Sequence, residues 1–287
     1  MRKDVYQTVT DFMIKKLKDG IVPWQKPWNT PDSYPRNIRG RMYRGINLWT
    51  LTAHNYQSPF WLTFKQVKDL GGTVTKGEKG TTVVFWKMLS REDEEGETKR
   101  FPFLAYYTVF NLDQTTDIPE DKIPVIQKTE ELDFNPINKA EEILYLWDDK
   151  PNVEHGKAHA CYIPAWDKIE MPDKKYFKSV EEYYSTLFHE YIHSTGHKSR
   201  TNRHASQTNH KFGSKDYSKE ELVAEMGAAF LCGITGIENK TINNSAAYIQ
   251  SWIQKLRNDK KFLIHAAGLA QKACDHILQP EFETETA

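Results

Sequence analysis

The chain has 287 residues, 39% of them hydrophobic, with 39 Lys+Arg balanced by 39 Asp+Glu; this is long for one compact domain and comfortable for two ordinary cores. It holds no apolar run of the roughly 18 residues a membrane span needs, and Met1 to Gln7 lacks the apolar stretch and small-residue cleavage site of a secretory signal, so a cytoplasmic protein is expected. Cys161, Cys232 and Cys274 are far apart and form no C-x-x-C pair, which points to buried thiols in a reducing compartment rather than a zinc ribbon or a redox site.

The overall neutrality conceals an asymmetry. Residues 1–90 hold 15 Lys/Arg against 6 Asp/Glu, residues 91–150 hold 7 against 16, and residues 151–287 hold 17 against 17. A block this basic is a reason to consider a polyanionic partner, with a solvated basic face as the plain alternative.

In chain order, Val5, Val9, Phe12, Met13 and Leu17 recur at helical spacing between Asp4 and Lys18, with Gly20 as the stop signal. Pro23-Trp24-Gln25-Lys26-Pro27-Trp28 reads as an extended segment, because each proline fixes its own backbone and biases the residue before it. Thr63 to Leu70 predicts a short helix ending at Gly71-Gly72. Thr73–Thr75 and Thr81–Trp86, around Lys76-Gly77-Glu78-Lys79-Gly80, predict a hairpin. After the acidic turn Glu92–Glu97, Phe103–Phe110 should return to the same sheet. The expected fold is α+β: an α+β domain with an antiparallel sheet over residues 1–125, then a mainly helical domain with a small sheet over 126–287. The second domain should open with a helix at Pro136–Asp148, followed by strands near His159–Ile163 and Ile169–Met171 and three helices. The end, Glu281–Ala287, reads as disordered.

Ser179 and Glu182 have capping-box spacing and predict a helix running to about Gly196. That helix carries His189-Glu190-Tyr191-Ile192-His193. Residues four apart project from one face, so both imidazoles can hold one Zn2+, while Glu190 takes the proton of a metal-activated water. A third protein ligand leaves one position for that water. A histidine ten residues after the first ligand is excluded because position 199 is Ser199, and His197 comes two residues early. Glu221 is the choice, although Ser218 and Glu221 also have capping-box spacing; Glu225 is an alternative ligand or a hydrogen-bond partner for a ligating imidazole, and Glu220 is the weakest candidate. His197, His204 and His210 read as solvated loop histidines, and Tyr217 or His197 as candidates to reach an oxyanion. The strand near Cys161–Met171 is a candidate to pair with an extended peptide substrate, or else a plain core strand.

At this point the sequence resembles the ArdC-type antirestriction proteins of conjugative plasmids and mobile elements along nearly its whole length. The resemblance rests on Asp4-Val5-Tyr6, Pro23-Trp24 with Lys26-Pro27-Trp28, Tyr43-Arg44-Gly45-Ile46-Asn47, Trp61-Leu62-Thr63, Lys76-Gly77-Glu78-Lys79-Gly80 and Tyr107-Thr108-Val109-Phe110-Asn111. It continues in Ile169-Glu170-Met171-Pro172, Tyr184–Glu190, Thr195-Gly196-His197 and Glu220–Glu225. It implies an N-terminal domain binding single-stranded DNA, a C-terminal glutamate-type zincin metallopeptidase, and protection of incoming DNA from host restriction. Glu221-x-x-Ala-Glu looks like the Glu-x-x-Ala-Asp/Asn pattern of such zincins, which favours Glu221 over Glu225 as ligand.

Single strands are held by cations on phosphate and aromatic faces under bases. Trp24, Lys26, Trp28, Arg36, Arg39, Arg41, Tyr43 and Arg44, with Lys76 and Lys79, therefore form the expected DNA surface. The protein substrate is open. Two rival functions remain: a non-proteolytic DNA-coating protein, which a closed four-ligand structural zinc would favour, and a repair or regulatory protease acting on DNA-bound proteins, which uses the same residues.

Overall fold

The structure, a computed structural model, describes residues 4–25, 34–54, 56–92, 98–125, 136–206, 215–237 and 246–279. The fold is α+β and divides into two compact units. The first comprises Met1–Pro23, Asp32–Gln127 and Trp252–Lys261; the second comprises Trp24–Pro31, Lys128–Ser251 and Phe262–Ala287.

In the first unit, helix α1 (Val5–Lys18) starts where the Asp4 side chain accepts the Gln7 N–H. Its buried Val9, Met13 and Leu17 lie one turn apart, and it stops where Gly20 takes a positive φ of 77° that disfavours other residues. Strand β1 (Arg36–Asn37) is followed by helix α2 (Ile46–Thr52) and strand β2 (Phe60–Thr63). Helix α3 (Phe64–Asp69) is closed by a capping box between Thr63 and Gln66. Strands β3 (Thr73–Val74), β4 (Thr81–Glu92), β5 (Thr98–Asn111) and β6 (Thr115–Thr116) complete the unit. The main sheet runs β1-β2-β5-β4, with β5 antiparallel to both neighbours.

The hairpin expected around Lys76–Gly80 does not form. β3 pairs with β6 in a separate two-stranded sheet, and β4 pairs with β5. The physical reason is extent: β4 and β5 stay in register from Thr81↔Val109 out to Glu92↔Thr98, whereas β3 offers two residues. The Gln114 amide also ties the 76–80 loop towards β6 by donating to Glu78 Oε2 and to the Lys79 carbonyl. Asn47 of α2 bonds both the N–H and the C=O of Val84, so a side chain stands in for the missing neighbour at the β4 edge. Leu51, Trp61, Val83 and Val109 form the core beneath, flanked by Tyr43 and Tyr56. His54, whose burial lowers its pKa to about 4, stacks between Phe12 and Tyr56 and bonds Thr81 Oγ1 as a neutral ring.

The second unit opens with helix α4 (Pro136–Leu146). Strands β7 (Asn152–Glu154), β8 (Cys161–Ile163) and β9 (Lys168–Glu170) form a sheet in the order β7-β9-β8, so β8 is an edge. β7 was not foreseen; it pairs parallel to β9, a register no local turn signal announces. Helices α5 (Val180–Ser194), α6 (Lys215–Thr235), α7 (Ala246–Asn258) and α8 (Phe262–Leu278) follow, four among the described residues rather than the three expected. Ser179 caps α5 through the Glu182 N–H, but Glu182 reaches back to Lys178 N–H rather than closing a box on Ser179. The residues expected to be disordered, Glu281–Ala287, lie outside the described residues. Among those described, no helix is long and apolar enough to cross a membrane.

Helices α5 and α6 approach closely because α6 places Gly227 against Ile192; a Cβ there would stand 2.7–2.9 Å from three Ile192 side-chain carbons. The expected result of Gly227→Ala is therefore a loss of about 1–3 kcal/mol, as in other overpacked cores. Thermal denaturation checks it, and an unchanged melting point would mean that the contact can relax.

Candidate metal centre

The α5–α6 contact assembles the site. On α5, His189 and His193 lie one turn apart with Nε2 atoms 3.1 Å from each other. From α6, Glu221 brings Oε2 to 3.6 Å from His189 Nε2 and Oε1 to 3.6 Å from His193 Nε2. The potential donor atoms of these three residues all lie within 4.8 Å of one another. Donors held about 2.0–2.2 Å from a tetrahedral zinc stand about 3.3–3.6 Å apart, so this donor set fits such an ion. His189 Nδ1 and Glu225 Oε2 are buried and find no hydrogen-bond partner among the described residues. Burial works against a charged His189 ring, but the Glu221 hydrogen bond and the nearby Glu225 and Glu190 carboxylates outweigh it and raise the ring to about 9. The surroundings of the His189 imidazole favour positive charge.

Ser218 is the fourth residue of α6 rather than its N-cap, so Glu221 does not close a capping box there. Glu225, one turn on, is buried and its carboxyl is raised chiefly by that burial. Glu190 is also buried, and its Oε2 accepts the Tyr162 N–H of β8 at 2.7 Å. Glu190 is therefore oriented by the sheet edge beside the imidazoles. A cavity of about 390 Å3 opens over the group, lined on one side by Cys161, Tyr162 and Pro164 and on the other by His189, Glu190, His193, His204 and Glu221.

Sequence reasoning missed the support beneath. Glu220, ranked weakest, bonds His193 Nδ1 at 3.2 Å and is gripped by Arg203 through Nε (2.9 Å) and Nη2 (2.6 Å). Burial would raise the Glu220 carboxyl, yet hydrogen bonds from Arg203, His193 and His204 hold it well below the ordinary carboxylate range. Arg203 also donates to Thr195 Oγ1 and to the Ile192 carbonyl, fastening the loop after α5. His204, read as a solvated loop histidine, lines the cavity and reaches Glu220 at 3.4 Å. The correction follows from close packing, since Gly196 leaves no room for a Cβ beneath the His204 ring. His197 instead bonds Ser199 and lies 3.8 Å from Asp167, and His210 lies outside the described residues. Tyr217 belongs to α6. Asp167 is clamped by Arg200 and accepts the Tyr162 hydroxyl, which pins the β8–β9 turn beside the cavity.

The residues expected to hold DNA divide. Trp24 is 1% exposed and clusters with the second unit, so its ring is not available for stacking; this corrects the expectation. Lys26 and Trp28 lie outside the described residues. Arg39, Arg41, Arg44, Lys76 and Lys79 are exposed, and Arg36 and Tyr43 are half-buried. The Asn37 side chain accepts the N–H groups of Arg39 and Arg41, forming the tight turn that presents them.

Two crystal structures of the antirestriction ArdC protein from the R388 plasmid, metal-free and Mn(II)-bound, match with a TM-score of 0.76 at 38% and 36% identity, covering 96% of this chain and 97% and 98% of theirs. The chain belongs to the ArdC antirestriction family. Residues 3–110 match the N-terminal domain of anti-restriction factor ArdC, and residues 139–269 match a zincin-like metallopeptidase domain. An Escherichia coli protein named DNA primase TraC is 35% identical over 97% of this chain, which spans only 27% of that relative's length. This ArdC-family chain thus carries a zincin-like domain whose fold implies a metal ion, and the R388 ArdC protein has been crystallised with Mn(II).

Proposed function

We propose that this ArdC-family protein is a zinc-dependent metallopeptidase whose first unit binds single-stranded DNA, and that it protects DNA entering a restricting host. The supporting observation is the convergence of His189, His193 and Glu221 within 4.8 Å beside a carboxylate, Glu190, that is not among them. The three would hold the ion, which when bound supplies a Lewis acid and an acidified water. Glu190 accepts the proton of that water, with its carboxylate oriented by the Tyr162 N–H. Glu220 holds the Nδ1 side of His193, leaving Nε2 for the ion. The edge strand β8 lines the cavity and suits an extended peptide, while the exposed Arg39, Arg41, Arg44, Lys76 and Lys79 suit phosphate.

Metal analysis of purified His189→Ala and Glu221→Gln proteins tests the ligand set. About one zinc per chain is expected in the wild type and a large loss in both variants. Full occupancy in both would sink the assignment, and loss in the first alone would move the third ligand to Glu225.

A further inference from the structure

The long β4–β5 pair leaves its core part-way along. Side chains alternate across it, so Val83 and Phe85 share a face with Tyr107 and Val109. Val83 and Val109 are fully buried in the cluster with Leu51 and Trp61. On the same face Tyr107, opposite Val83, is 38% exposed and Phe85, one step further out, is 42% exposed, with ring centroids 5.8 Å apart. Tyr43, half-buried and packed against the same cluster, lies in the sequence between the exposed Arg41 and Arg44 and so ties that turn to this face. Lys87 follows Phe85 on this face, and between Thr81 and Leu89 and between Phe103 and Val109 the face holds no Asp or Glu.

Exposed rings in a row with cations at both ends fit one class of occupant better than an apolar helix or strand. Each base offers a π-face to an aromatic ring, and each phosphate seeks a cation. The first 90 residues, which supply Phe85 and all of these cations, carry 15 Lys/Arg against 6 Asp/Glu. The opposite face of the same strands is different in kind. There Trp86, 53% exposed, and Tyr106, 41% exposed, line with Pro102 and Leu104 a cavity of about 530 Å3 that is also lined by the acidic Asp4 and by Val5 and Tyr6 of α1, with no Lys or Arg among its described lining residues.

We infer that Phe85 and Tyr107 are the base-stacking platform for single-stranded DNA, with phosphates directed to Arg41, Arg44 and Lys87. This rests on the single-strand reading above and replaces buried Trp24 as the aromatic element of the surface.

The test uses the full chain and a fluorescein-labelled oligo-dT of about 15 nucleotides, one OB-sized footprint or more, titrated by anisotropy at several salt concentrations. Phe85→Ala, Phe85→Leu and Tyr107→Ala should each weaken binding by about 5- to 150-fold, the range for loss of one stacked base. Their salt dependence should match the wild type. Arg41→Gln should instead flatten the log–log salt slope by about 0.7, one phosphate contact. An abasic oligonucleotide of the same length should bind the wild type more weakly than oligo-dT, and Phe85→Ala should no longer distinguish the two. Trp86→Ala, on the opposite face, should bind within about twofold of wild type, below the range for one lost stack. Circular dichroism and melting points show which variants are folded; Phe85→Leu keeps the apolar volume without the π-face. Folded Phe85 and Tyr107 variants with wild-type affinity would overturn the platform, as would a loss confined to Trp86→Ala. Dissociation of a wild-type dimer by Phe85→Ala would identify the face as a contact between copies instead. A wild-type protein that ignores oligo-dT at low salt removes the DNA reading itself, and the platform with it.

Discussion

Glu190→Ala is expected to lower peptide-bond hydrolysis by about 100- to 10,000-fold, the usual cost of losing a general base, while metal content and DNA binding stay at wild-type levels. Glu190 lies outside the three-residue donor cluster, so its removal takes no ligand from the ion. It does release the Tyr162 N–H, whose acceptor it is. Glu190→Gln is therefore the stricter variant: its amide oxygen can still accept that N–H, but it cannot take a proton at neutral pH. A quenched-fluorescence peptide library reads hydrolysis, and plasma emission spectrometry reads the metal. Hydrolysis that survives in the glutamine variant would put the base elsewhere. Transfer of an unmodified plasmid into a restricting recipient adds the biological readout. Protection that falls together with hydrolysis supports a proteolytic mechanism, and protection at full strength in a hydrolysis-dead protein supports DNA coating.

The second large effect belongs to Glu220. Replacing it with leucine leaves the Arg203 guanidinium buried without its carboxylate, and breaking a buried ion pair from one side typically costs about 3–5 kcal/mol. Glu220→Gln is gentler, since an amide can still accept from Arg203 and meet His193 Nδ1. It removes the charge beside the His193 ring, proposed above as a ligand, and such outer partners are worth about 10- to 100-fold in metal affinity. Competition with a chromophoric chelator measures that affinity, and melting of the metal-free protein measures the fold. A glutamine variant that is stable yet binds zinc as tightly as wild type would show that Glu220 only anchors Arg203.

Much of this was legible in the residues because the signals are local. The α1 periodicity, the Ser179 cap and the pair His189/His193 each depend on spacings within a few turns of one helix. The small residues on α6, which permit the close approach to α5, pointed to Glu221 and Glu225 alike, and only the resemblance to the Glu-x-x-Ala-Asp/Asn pattern preferred Glu221 as the proposed ligand. What stayed hidden depends on pairing across the chain. Nothing near Thr73 says that its partner is Thr116. The loop pair Arg203-His204 looks like solvated basic surface until folding brings Glu220 against it. Trp24 carried the composition of a contact surface, but composition does not say which way a ring points.

The segment Trp252–Lys261 groups with the first unit, where Thr10 Oγ1 donates to the Lys260 carbonyl and Lys260 Nζ meets Asp4. A chain leaving the ribosome therefore cannot finish its N-terminal half when that half has been synthesised; it waits for residues more than two hundred positions later. Such distant closure slows folding and leaves the α1 surface open in the interval. It also means that the two halves are not interchangeable cassettes. A gene fusion that joins the first 125 codons to another enzyme omits a segment that groups with the unit it means to transplant.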